Sequence, residues 1–124
     1  MAEPTVLSSH VIRSAIAVHR ALGPGLLESL YLQCLCVELE EDGIAFRTQV
    51  PVPVVYRGRT VPLGFRMDLL VADSIIVEVK AVANLIPAHE AQLLTYLRLS
   101  GLRLGLLMNF HAPLLKDGLR RLVV

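Results

Sequence analysis

Asp68, Glu78 and Lys80 lie within FRMDLLVADSIIVEVKA, the stretch from Phe65 to Ala81. Around them the sequence reads as two apolar strands joined by a tight turn. Side chains alternate along a strand, so Ile76, Glu78 and Lys80 share one face and Ile75, Val77 and Val79 the other. On the preceding strand Arg66, Asp68 and Leu70 share a face. A three-residue turn, Ala72-Asp73-Ser74, pairs Val71 with Ile75, Asp68 with Glu78 and Arg66 with Lys80. A two-residue turn would set Asp68 opposite Val79 instead. In the first register two carboxylates oppose each other with Cβ atoms about 5 Å apart, which destabilises a strand pair unless something compensates. Mg²⁺ suits that role, because it takes oxygen ligands and commonly uses one or two carboxylates plus waters and phosphate oxygens. The competing reading is a charge ladder in which Arg66 and Lys80 neutralise the two acids.

A third acid favours the site over the ladder. In the helix read from about Leu26 to Glu41, Glu28, Tyr31, Leu32, Leu35 and Leu39 form one narrow stripe. Glu28 is therefore expected on the inward face, where a glutamate needs a partner. Further along, His89, Gln92 and Tyr96 form a polar stripe at helical spacing. His19 lies near the apolar side of the first helix. Polar residues in such places are commonly hydrogen-bonded structural groups.

The elements that must position these residues follow from periodicity and punctuation. Ser9 to Leu22 reads as a helix with Val11, Ala15, Val18 and Leu22 inward, ended by Leu22 to Gly25. Asp42-Gly43 closes the second helix. Arg47 to Tyr56 and Arg59 to Phe65 read as strands flanking an Arg57-Gly58 hairpin tip. Pro51, Pro53 and Pro62 within them suggest an edge position. The stretch PAHEAQLLTYLRLSG reads as a helix with Pro87 in its first turn and Gly101 past its end. Leu102 to Phe110 reads as a buried strand and the C-terminal GLRRLVV as another. The predicted order is helix, helix, three or four strands, helix, strand, strand, a mixed α/β sheet with packed helices.

Composition narrows the function classes. A chain of 124 residues suits one domain, residues 1–124. Its 54% hydrophobic content fills a core easily and leaves apolar surface over, which points to a homodimer. No apolar run reaches the roughly 18 residues of a membrane span, and no signal peptide is legible. Cys34 and Cys36, the only cysteines, point to different sides of a helix and read as reduced thiols of a cytoplasmic protein. The formal net charge of +1 gives no general electrostatic case for nucleic acid, so any basic surface must be local.

Several of these residues, in this order, resemble a known family. GLLESLY, Gly25 to Tyr31, matches the motif that names the GxxExxY proteins through Gly25, Glu28 and Tyr31. HRALGPG before it and HEAQLLTYLRLSGLRLGLLMNF after it are also similar, and the resemblance spans Val11 to Val124. That family is placed in the PD-(D/E)XK nuclease superfamily, with a restriction-endonuclease-like αβββαβ core. The superfamily motif maps onto Asp68, then Glu78-Val79-Lys80, with Met67 where the motif's name has proline. Gln92 and Tyr96 match the QxxxY helix motif of RecB-like exonucleases. The resemblance implies that Asp68, Glu78 and the carbonyl of Val79 bind Mg²⁺ or Mn²⁺. It also implies that Glu28 stands in the first-helix acid position of small archaeal junction resolvases, with His19 a further candidate ligand. Lys80 would act at the attacking water or the phosphate's charge, and Gln92 and Tyr96 would orient the site.

The implied activity is metal-dependent hydrolysis of phosphodiester bonds in nucleic acid, with DNA favoured over RNA. The alternative is a non-catalytic nucleic-acid-binding or assembly subunit that keeps the nuclease fold. Arg57, Arg59, Arg120 and Arg121 are candidate phosphate contacts, each with a plain alternative as a solvated side chain.

Overall fold

The computed structural model describes residues 4–52, 54–61 and 65–124. Among the described residues there are three α-helices: α1 (Pro4–Leu22), α2 (Glu28–Glu41) and α3 (Pro87–Ser100). The strands are β1 (Phe46–Pro51), β2 (Val55–Tyr56), β3 (Arg59–Thr60), β4 (Arg66–Val71), β5 (Ile75–Lys80), β6 (Leu104–Asn109) and β7 (Leu119–Val123). A 3₁₀ turn at Leu115–Gly118 leads into β7.

Five strands form one sheet in the order β1-β4-β5-β6-β7. Only β5 and β6 run parallel; β1-β4, β4-β5 and β6-β7 are antiparallel. The parallel pair requires a crossover, and α3 supplies it. This is the expected mixed α/β architecture, with helices on both faces.

One face of the sheet packs on α1 and α2. Val11, Ala15 and Val18 of α1 and Tyr31, Leu35 and Leu39 of α2 bury their stripes against Leu69, Val71, Ile75, Val77 and Met108. The other face packs on α3, where Leu93, Tyr96 and Leu97 meet Met67, Leu70, Ile76 and Leu107. Close approach of α3 to β6 depends on Gly105, since a Cβ there would sit 2.9 Å from a Leu93 methyl. Gly101, at φ 74, ends α3 with a left-handed cap.

The structure alters several expected boundaries. α1 starts at Pro4, a full turn before Ser9, and Leu22 at its end is exposed rather than inward. The strand expected to run from Arg47 to Tyr56 stops at Pro51. Val55–Tyr56 and Arg59–Thr60 form a separate two-stranded ribbon. Its tip, Arg57-Gly58, has positive φ at both residues (52 and 77), as two-residue hairpin loops require. β1 with Pro51 is an edge strand, as its proline suggested; Pro53, Pro62, Leu63 and Gly64 lie outside the described residues.

Candidate active site

The turn between β4 and β5 fixes the register. Ala72 and Asp73 take positive φ (50 and 51), and Ser74 N–H donates to the Val71 carbonyl at 2.9 Å. The pairs Val71↔Ile75, Leu70↔Ile76 and Leu69↔Val77 follow. The three-residue connection therefore holds, and the same register brings Asp68 to Glu78.

Regular pairing stops at Asp68. On its other side β1 pairs Thr48 with Leu69 and Val50 with Met67, omitting Gln49 between them. Gln49 has φ 52, which removes it from the ladder. Both strands turn over at this point. Met67 belongs to the α3-side core and Leu69 to the α1/α2-side core, though residues two apart share a face in an even strand. The alternation read from sequence therefore fails at this one place, and the Asp68 carboxylate is freed at the break.

The two acids fill the gap with side chain–backbone bonds. Asp68 N–H donates to Glu78 Oε2 at 3.3 Å, and Val79 N–H donates to Asp68 Oδ2 at 2.9 Å. Glu78 is 4% exposed, and Asp68 is half-buried. Burial, then hydrogen bonding with and the charge of Asp68, push the Glu78 carboxyl up to about 9. Lys80, half-buried on the same strand, opposes that rise.

The charge ladder does not form. Arg66 Nη1 donates to the Gln49 carbonyl at 3.2 Å instead of meeting a carboxylate. Among the described residues the ion pairs within 4 Å are Arg47–Asp73 and Arg120–Glu90. Neither involves Asp68 or Glu78.

Glu28 reaches the site, but not as a buried acid. It is the first residue of α2 and is exposed. Its Oε1 accepts from Ala81 N–H at 3.3 Å, just past β5. It lines a shallow cleft of about 170 Å³ with Ser29, Leu32, Gln49, Asp68 and Val79. Among the described residues no three acid, His or Cys side chains converge closely enough to form a metal cluster. Glu28 thus faces the Asp68 cleft without closing a triad with Asp68 and Glu78.

The segment before α2 explains how Glu28 is placed. Tyr31 Oη donates to the Gly23 carbonyl at 2.5 Å and accepts from Leu26 N–H at 3.1 Å. Its ring stacks on Phe110 with centroids 4.6 Å apart. Gly25 has φ 100, a conformation that other residues rarely adopt. Gly25 permits the turn, Tyr31 staples it, and the turn starts α2 with Glu28 over the end of β5.

Tyr96 and Gln92 approach from α3. Tyr96 is buried, and its phenol is pushed up by burial and then by the charges of Glu78 and Asp68. Gln92, one turn earlier on α3, opposes that rise. His89 is otherwise engaged, with Nδ1 accepting the Ile86 N–H at 3.1 Å at the helix start. His19 is likewise engaged: it is buried, and its Nε2–H donates to the Ala112 carbonyl at 2.7 Å. Arg57 and Arg59 remain exposed at the ribbon tip and Arg121 on β7, while Arg120 is turned to Glu90 at 3.6 Å.

A family model for the PD-(D/E)XK nuclease superfamily matches residues 5–122. The chain belongs to that superfamily. Neither curated proteins nor solved structures give a match. The match spans both β4 and β5, the strands that carry Asp68 and Glu78-Val79-Lys80.

Asn109 is a buried residue of this nuclease fold that periodicity did not single out. Its Oδ1 accepts from Val82 N–H at 3.0 Å and its Nδ2 donates to the Val82 carbonyl at 2.9 Å. Phe110 N–H donates to the Lys80 carbonyl at 2.8 Å. Together they clamp the chain where it leaves β5. An amide ending the apolar run LRLGLLM was the signal for it.

Proposed function

We propose that this member of the nuclease superfamily hydrolyses phosphodiester bonds with a divalent cation, Mg²⁺ or Mn²⁺, and prefers DNA to RNA. The observation that carries this is the Asp68–Glu78 pair: two carboxylates side by side, one deeply buried, with no Lys or Arg in salt-bridge reach among the described residues. Their donor set fits the cation. Asp68, Glu78 and the Val79 carbonyl are hard oxygen donors, and two carboxylates plus waters are a common Mg²⁺ set. When bound, the cation would offset the charge of the phosphodiester and lower the pKa of a water.

The chain's own residues have the following roles. Asp68 and Glu78 would hold the cation from two strands that the turn locks in register. Lys80 offers its ammonium to the attacking water or to the charge that develops on the phosphate. Tyr96 keeps its proton and can donate a hydrogen bond to a phosphate oxygen, with Gln92 fixing the phenol. Glu28, already bonded to the Ala81 amide, holds a water at the open side of the cleft. The GLLESLY segment acts as the device that starts α2 there, which supports a place among the GxxExxY proteins.

A homodimer is part of the proposal, because Leu27, Leu30 and Val37 leave apolar side chains exposed along α2. Sedimentation of the wild type tests it. The nuclease reading is tested by incubating wild type and Asp68→Asn with labelled DNA and RNA structures in Mn²⁺, Mg²⁺ or EDTA. Cleavage by wild type alone, lost in EDTA, is expected. Equal products from both proteins would refute it.

A further inference from the structure

Beside the acids lies a second, larger cleft of about 410 Å³. Val54, Phe65, Ala91, Gln92, Thr95 and Tyr96 line it. Its walls are mostly apolar, and no Lys or Arg is among its described lining residues. Thr95 already donates its hydroxyl to the Ala91 carbonyl at 2.9 Å. Phe65 stands 48% exposed at one side, its ring 6.2 Å from that of Tyr96 and tilted to it by 53°.

We propose that this cleft is a nucleobase subsite, which takes the base next to the phosphate held at Asp68 and Glu78. The proposal rests on the nuclease reading and adds the form of the substrate to it. Three observations point to a base. Tyr96 lines the cleft and lies close enough to Glu78 and Asp68 to feel their charge, so a strand bound at the acids carries its neighbouring base towards this cleft. The absence of cations among the described lining residues makes it a poor home for a phosphate. Exposed aromatic surface with few free polar groups suits the π-face of any base, giving stacking without sequence choice.

The same geometry selects the substrate class. A paired base must leave its stack to enter such a pocket. Unpaired strands and frayed ends enter without that cost. With a net charge of only +1, counterion release contributes little, so stacking must supply much of the affinity.

The test is binding of labelled oligothymidylate in Ca²⁺, followed by fluorescence anisotropy, against strands with one abasic position. Phe65→Ala removes a wall, and Ala91→Leu fills the cleft from the helix side. Each is expected to weaken the intact strand about five- to ten-fold, as loss of one stacked base does. One abasic position should weaken wild-type binding equally, and the two changes combined should cost no more than either. The inference is overturned if wild type does not bind the strand, if both variants bind as wild type does, or if the losses add. A change in self-association with unchanged strand affinity would mean that a second copy fills the cleft, and also overturns it. Cleavage in Mn²⁺ separates the two claims. Base-dependent binding without cleavage keeps the subsite and removes the nuclease; cleavage without base dependence does the reverse.

Discussion

Asp68 and Glu78 are tied crosswise, each carboxylate bonded to the other strand's backbone. Glu78 Oε2 accepts the Asp68 amide, and Asp68 Oδ2 accepts the Val79 amide. The side chains thus occupy the place of the ladder bonds that lapse beside them. This holds two acids together where like charges would otherwise part the strands.

Removing the acid function without removing the bond isolates catalysis from folding. Asp68→Asn keeps an oxygen for the Val79 amide. Cleavage by this variant should fall by about 10²–10³-fold, the usual cost of one preorganised charge at a reacting centre. Lys80→Ala should fall similarly. Thermal unfolding of both in EDTA should change by only a few degrees. Gel-based rates and calorimetric scans check the two halves.

Glu78 makes the metal-free protein sensitive to pH. Its proton is held more tightly when folded, at about 9, than at the ordinary 4.5. The folded state therefore binds more protons between these values. Stability is fully present below about pH 4.5 and is lost as pH rises through about 9. One differential proton sets a slope of at most about 1.4 kcal/mol per pH unit. Urea unfolding in EDTA should show wild type losing about 1–3 kcal/mol more than Glu78→Gln between pH 5 and pH 8.

The break at Gln49 predicts a stabilising change. A non-glycine residue at φ 52 is strained by about 1 kcal/mol or more. Gln49→Gly should gain up to about 1 kcal/mol, whereas Gln49→Val, which favours an extended backbone, should lose about 1–2 kcal/mol. If Gln49→Val were as stable as wild type by urea unfolding, the break would not be a fixed feature of the sheet.

The turn before α2 should act through backbone rather than packing. A Cβ at Gly25 meets nothing within 4 Å, yet φ is 100. Gly25→Ala should therefore cost about 1 kcal/mol or more from conformation alone. Tyr31→Phe loses both Oη bonds and should cost about 1–3 kcal/mol, since it leaves the Gly23 carbonyl and the Leu26 amide without that partner. Both should lower cleavage further than their stability loss explains, because they displace Glu28.

Much of this arrangement is legible in the chain itself. Alternation gives two candidate β4-β5 registers, of which the structure adopts the one with the Ala72-Asp73-Ser74 turn, and helical periodicity gives the inward stripes of α1 and α2. Pro87 and Gly101 bound α3 within a residue. What escapes is set by tertiary contact. Gln49 carries no local sign of a left-handed backbone, so the turnover of β1 and β4 at Asp68 is invisible in an alternating pattern. Glu28 lies on the inward stripe of α2 by angle, but at the helix end that stripe has run past the core, and the side chain meets solvent. His19 illustrates the reverse: its hydrogen bond to Ala112 joins parts of the chain that no local pattern connects.

The most direct measurement is Mn²⁺ titration by calorimetry of wild type and Asp68→Asn, with both samples assayed on labelled DNA. Saturable binding and metal-dependent cleavage by wild type are expected, with both lost in the variant. Equal binding by the two proteins, or none by either together with no cleavage, would contradict the nuclease reading. Asp68 and Glu78 would then be a structural pair sharing a proton, and the chain a non-catalytic subunit that keeps a nuclease fold.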